Sequence, residues 1–162
     1  MTPIVAILLF LHVLGAIVAF GPNFAFPVIG AMGGREPMFA NFATRVTLRI
    51  EERIVIPLAI VQAITGSGLI LTVPFDLLAT HWLLLGIALY LIALGFALFV
   101  QTKSVEHLVE LTTMPAGGPP PGAPAGPPPG VPGAVQRVQR GGMLLGALII
   151  AIVFLMVVKP TF

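Results

Sequence analysis

Four long apolar stretches, separated by polar or Pro/Gly-rich ones, set the plan of the chain. From residue 4 to 21 the only ionisable side chain is His12. Comparable runs cover about residues 54–73, 82–100 and 135–158. A helix rises 1.5 Å per residue, so about 20 apolar residues match a hydrocarbon core of about 30 Å. The pattern predicts an all-α protein: an integral membrane four-helix bundle, one domain over residues 1–162, with a Pro/Gly-rich cytoplasmic loop between helices 3 and 4.

The segments between the spans are equally patterned. Pro22 and Pro27 are expected to interrupt or bend the first helix, and Gly33-Gly34 to mark a turn. From Met38 to Arg53 the pattern is amphipathic, with Arg45, Arg49 and Arg53 four residues apart and Glu51 and Glu52 beside them. It reads as an interfacial helix leading into the second span, or as the positive anchor of a membrane loop. Pro57 falls near the expected start of that span, where a helix tolerates proline. Pro74, Asp76 and Thr80-His81 make a short outer loop, and Trp82 opens the third span at an interfacial position. The third helix is expected to run on through Gln101–Leu111, with Glu106 and Glu110 at i, i+4. The linker at 114–133 contains PPPG twice, with glycine every fourth residue rather than every third. That excludes a collagen triple helix and predicts an extended chain outside the bilayer. Gln136, Arg137, Gln139 and Arg140 form a polar entrance to the last span. Gly142 and Gly146 form a small-xxx-small contact surface, through which the chain has the means to pair with itself.

Composition agrees with the pattern. Charged residues are 9% of the chain and mean hydropathy is +1.07, where a soluble domain carries about a quarter charged residues. The pI of 9.7 comes from few charges and is no sign of nucleic-acid binding. With no cysteine, disulfides, iron–sulfur clusters and thiolate metal sites are excluded. Arg35, Arg45, Arg49 and Arg53 lie in the first connection, Lys103, Arg137 and Arg140 in the third, and only Lys159 on the other side. The positive-inside rule then places both termini outside and the basic connections in the cytoplasm.

The candidate chemistry centres on His12. An ionisable residue in a membrane span is a functional hypothesis by default. His12, Gly15, Ala16 and Ala19 share a helix face at i, i+3, i+4 and i+7, and Asn23 returns to it. An imidazole above a strip without bulk has room for a flat ligand such as a porphyrin, or for a neighbouring helix. Gln62, Thr65 and Gly66 share a face of the second span, and Gln62 is a candidate partner for His12. The hydroxyl of Tyr90, in mid-span, needs an acceptor. Asn23, Gln62, Thr65 and Tyr90 are the expected polar contacts of the bundle.

Three stretches carry a family likeness: LHVLGAIVAFGPNFAFP, IPLAIVQAITGSGLIL followed by HWLLLGIALYLI, and VQRVQRGGMLLGALIIAIVFLMVVKPTF. In order and spacing they resemble an uncharacterised family of predicted bacterial integral membrane proteins. They also resemble the wider superfamily of HemJ-type protoporphyrinogen oxidases and copper-resistance CopD proteins. The HemJ resemblance implies a b-type haem on the first-helix histidine, which is His12 here. Two departures point away from protoporphyrinogen oxidation. Val28 stands where HemJ-type chains carry a basic residue, and Leu84 and Gly86 stand where they carry His and Lys. Porphyrinogen carboxylates call for cations at such places. A copper role is equally poorly supplied, because Met32, Met38, Met143 and Met156 are scattered.

Three functions follow as expectations. The first is a non-catalytic accessory or assembly component of a bacterial inner-membrane complex, in contact with other membrane subunits. The second is a haem-b redox protein using His12. His81, near the outer surface, is too far along the bundle to share one haem with it, and His107 lies on the cytoplasmic side. The third is a small transporter, for which the spans supply no carboxylate.

Overall fold

A computed structural model of the chain describes residues 2–73, 79–113 and 126–161. Among these residues there are four long apolar helices: α1 (Pro3–Arg35), α2 (Pro37–Thr72), α3 (His81–Thr112) and α4 (Val131–Val158). There is no strand among the described residues. At 33 and 36 residues, α1 and α2 are about 50 Å long, well beyond the hydrocarbon thickness.

α1 begins on a Thr2 cap, whose hydroxyl accepts the Val5 N–H, followed by Pro3 at the position where a missing N–H costs nothing. It then runs as one continuous helix through Pro22 and Pro27, so of the two expected outcomes, interruption or bending, neither proline interrupts it. Gly33 and Gly34 are helical as well, and the chain reverses at Glu36. Gly33 serves packing instead: a Cβ there would lie 2.9 Å from the Ala43 Cβ and 3.3 Å from the Ala40 Cα. The two helices therefore touch closely just before and after the reversal.

The amphipathic segment from Met38 to Arg53 is not a separate interfacial helix. After a 3-10 turn at Pro37–Phe39, α2 passes through it and into the apolar span without a break. Pro57 thus lies deep inside a helix rather than at its start. A π turn at Glu51–Val55 immediately precedes it, giving an extra residue where the proline ring would crowd the previous turn. α3 has its own π turn at Ala97–Gln101 and extends to Thr112.

Pro74 and Asp76, and residues 114–125 of the Pro/Gly-rich stretch, lie outside the described residues. The last three residues of that stretch, 131–133, already belong to α4. The helix starts at Val131 after Gly130, whose φ of 91° suits glycine. It ends at Lys159, in the left-handed region and followed by Pro160. Lys159 Nζ lies 5.6 Å from the centre of the Trp82 ring, joining the ends of α3 and α4.

α1 packs along α2, and α3 along α4, with α1 also touching α4. The α3–α4 seam is built from Ala93, Leu145 and Ile152 with Leu89, Tyr90, Phe96 and Met156 around them. Gly142 and Gly146 are not in a seam within the chain: nothing lies within 4 Å of a Cβ built at either. The close contact is at Gly141, where a Cβ would overlap the side chain of Gln101. At the basic end, the Asn41 amide reaches the Val109 carbonyl (3.3 Å) and the Thr112 hydroxyl (3.1 Å), tying α2 to the end of α3.

Candidate functional site

α1 and α2 bring His12, Gln62 and Thr65 together. His12 Nδ1 is 3.0 Å from Thr65 Oγ1, and the Gln62 amide nitrogen is 3.0 Å from His12 Nε2. With the amide donating, Nε2 accepts and the ring proton sits on Nδ1, which donates to Thr65. The Thr65 hydroxyl in turn donates to the Val61 carbonyl at 3.0 Å. A neutral imidazole therefore has both nitrogens occupied, and the chain of donors ends on backbone.

Glycines make this contact fit. A Cβ on Gly15 would lie 2.9 Å from Gln62 Oε1, and one on Gly66 would lie 3.0 Å from His12 Cε1. Gly15 and Ala19 are buried, while His12 and Ala16 are half-buried. At Gly15 the strip below His12 is thus filled by the Gln62 side chain of α2. It does not form an open slot, and a haem would need both the ring nitrogen and that space. The residues present do not fit a haem as packed. Gln62 Oε1 is buried without a hydrogen-bond partner, the one unfinished element of the cluster.

The other expected contacts are placed differently. The Tyr90 hydroxyl donates to the Ala59 carbonyl on α2, which ties the two helix pairs together in mid-span. The Asn23 amide turns back to the Phe20 carbonyl of its own helix at 3.4 Å. His81 opens α3 at the far end of the bundle, and exposed His107 pairs with Glu110 at 3.7 Å. Among the described residues, no group of three or more His, Cys, Asp or Glu side chains could hold a metal ion.

A second cluster lies at the basic end, before the apolar span of α2 begins at Ile54. Glu51 is 4% exposed and its Oε1 is 3.0 Å from Thr102 Oγ1. Thr102 follows the π turn of α3, so the contact links the two π turns. The Thr102 hydroxyl also lies 2.9 Å from the Ala97 carbonyl. One hydroxyl proton cannot serve both acceptors. With Glu51 ionised, the Thr102 hydroxyl donates to the carboxylate; with Glu51 protonated, the carboxyl donates to Thr102, which then donates to Ala97. Burial pushes the Glu51 carboxyl up to about 7; the Thr102 hydrogen bond opposes this, and Glu52 and Glu106 add to it. Beside it, Gln101 donates to the Val138 carbonyl at 3.2 Å and holds its own carbonyl oxygen buried without a partner against Gly141.

Grouping Glu51 with the flanking arginines hides this cluster. Its helical position held the signal: Leu48, Glu51 and Val55 fall at i, i+3 and i+7, on the side opposite Arg45, Arg49 and Arg53. An acidic residue on the inward face of an amphipathic helix is a buried carboxyl.

A model of the family described as predicted integral membrane protein (DUF2269) matches residues 6–160. The chain belongs to that family. The family description and the four apolar helices make this DUF2269 member an integral protein of the lipid bilayer. No curated protein and no solved structure matches it, so the likeness to HemJ-type and CopD proteins has no support there.

Proposed function

We propose that this DUF2269 protein is a non-catalytic component of a bacterial inner-membrane complex, an accessory or assembly subunit with both termini outside. One observation carries the reading. The mid-span polar side chains His12, Gln62, Thr65 and Tyr90 join helices to one another: His12 with Gln62 and Thr65, and Tyr90 with Ala59. A binding or transport protein keeps such groups turned to a cavity. Here they act as the interhelical polar contacts of a membrane bundle. The outer faces are broad and apolar, with Ile17, Ile64 and Leu71 among the exposed side chains. They suit contact with lipid and with the spans of other subunits.

The haem-b alternative requires His12 to give up Thr65 or Gln62, and the transporter alternative requires Gln62, Thr65 and Tyr90 to leave their partners. The test is purification from native membranes in mild detergent, with cross-linking before extraction. Defined membrane subunits cross-linked to the protein, with no Soret band, are the expected result. A Soret band that survives washing and is lost in H12A would overturn the reading. So would an uncross-linked chain that moves a solute across reconstituted vesicles.

A further inference from the structure

The bundle has an uneven apolar belt. Contacts between α1 and α2 set their antiparallel register: Leu8 meets Gly68, His12 meets Thr65, Gly15 meets Gln62 and Gly33 meets Ala43. In that register Phe24 lies level with Arg53, Val28 with Arg49 and Met32 with Arg45. The polar boundary of the other helices is at Arg53, at Gln101 and at Arg140. Glu51 touches Thr102 there, and Gln101 reaches Val138 and Gly141. α1 ignores that boundary: it carries no charge until Arg35.

Past the boundary, Phe24, Val28 and Met32 are 54%, 61% and 60% exposed and lie at i, i+4 and i+8. This continues the apolar stripe that Phe10, Leu14 and Ile17 present in mid-span. At the same levels, α2 presents Arg45, Arg49 and Arg53, all exposed, with Met38 and Phe42 also exposed near the tip. Arg49 pairs with Glu52 at 3.2 Å; among the described residues Arg45 and Arg53 make no ion pair. An apolar stripe and a basic stripe thus lie at the same levels of one helical hairpin, each on the face turned away from the other helix.

We infer that this hairpin, residues 24–53, is a docking surface for anionic lipid of the adjoining leaflet: its apolar stripe lies among acyl chains and its arginines on headgroup phosphates. The apolar side is continuous with the lipid-facing surface of α1. The charge on the other side is complementary to phosphate, and arginine binds phosphate through paired N–H donors. A helix pair with a longer apolar belt on one side holds the bundle tilted, or draws the leaflet up around it.

The test uses the full chain in nanodiscs of phosphatidylcholine with 30% (about a third) phosphatidylglycerol, a basic-stripe-matching anionic lipid. Spin-labelled phosphatidylglycerol is expected to associate several-fold more strongly than spin-labelled phosphatidylcholine, and the preference is expected to fall with added salt. The double substitution R45Q with R53Q is expected to remove most or all of that preference, whereas R137Q with R140Q retains most of it. The chain has no cysteine, so a label at M32C reports one depth. It is expected to be reached by oxygen dissolved in the lipid and shielded from a water-soluble nickel reagent. No preference in the wild type, an equal loss in both arginine pairs, or a water-exposed label at M32C would each overturn the proposal.

Discussion

Ionising Glu51 should loosen the basic end of the bundle, and the size of the effect follows from its surroundings. The carboxyl rises from an ordinary value of 4.5 to about 7 on folding. Between those values the folded chain holds a proton that the unfolded chain has released. Stability is therefore full below about 4.5, falls as pH rises and levels off above about 7. At about 1.4 kcal/mol per unit, the loss is on the order of 3 kcal/mol if the unfolded carboxyl is ordinary. The substitution E51Q keeps the shape, and its amide can still donate to Thr102, but it cannot ionise. Thermal unfolding in mild detergent, followed by circular dichroism from pH 4.5 to 8, should show a fall in the wild type. The E51Q variant should show little of that fall and should be the more stable protein at pH 8. An undiminished pH slope in E51Q would refute the assignment of a shared proton to this contact.

Other predictions concern the helix contacts. H12A leaves the buried Gln62 amide without its acceptor and should cost about 1–2 kcal/mol, measured by reversible unfolding in detergent or by steric trapping in bilayers. In a double-mutant cycle, H12A and Q62A should couple by about 0.5–2 kcal/mol; additive losses would mean the contact does not form. G15A pushes a methyl group against Gln62 Oε1 and should destabilise by about 1–3 kcal/mol, with the loss largely removed when Gln62 is also Ala. G141A should behave in the same way against Gln101, and Q101A should relieve it, whereas G142A and G146A, with open space around them, should be near neutral.

The membrane architecture was legible in the sequence because it depends on local composition. An uninterrupted apolar run must hydrogen-bond its own backbone, and a helix does this without help from the rest of the chain. The faces that join α1 to α2 were legible too, because helical spacing alone puts His12 with Gly15 and Gln62 with Thr65. The prolines misled for a related reason. Pro22 and Pro27 remove hydrogen bonds, yet a helix in lipid tolerates proline where local adjustment re-satisfies the freed backbone groups, and helix propensity measured in water carries no record of that.

What the chain determined by itself was how much of it enters lipid, where its charges collect and which side chains share a helix face. Only the tertiary structure decided what each face meets. It closed the small strip under His12 with Gln62, and it gave the close helix contact to Gly141 rather than to Gly142 or Gly146. It also brought Glu51 to Thr102 across 51 positions of sequence. The physical reason is range. Hydropathy and helical periodicity act over a few turns of chain, while a buried proton or a filled cavity depends on atoms from distant helices held at contact distance.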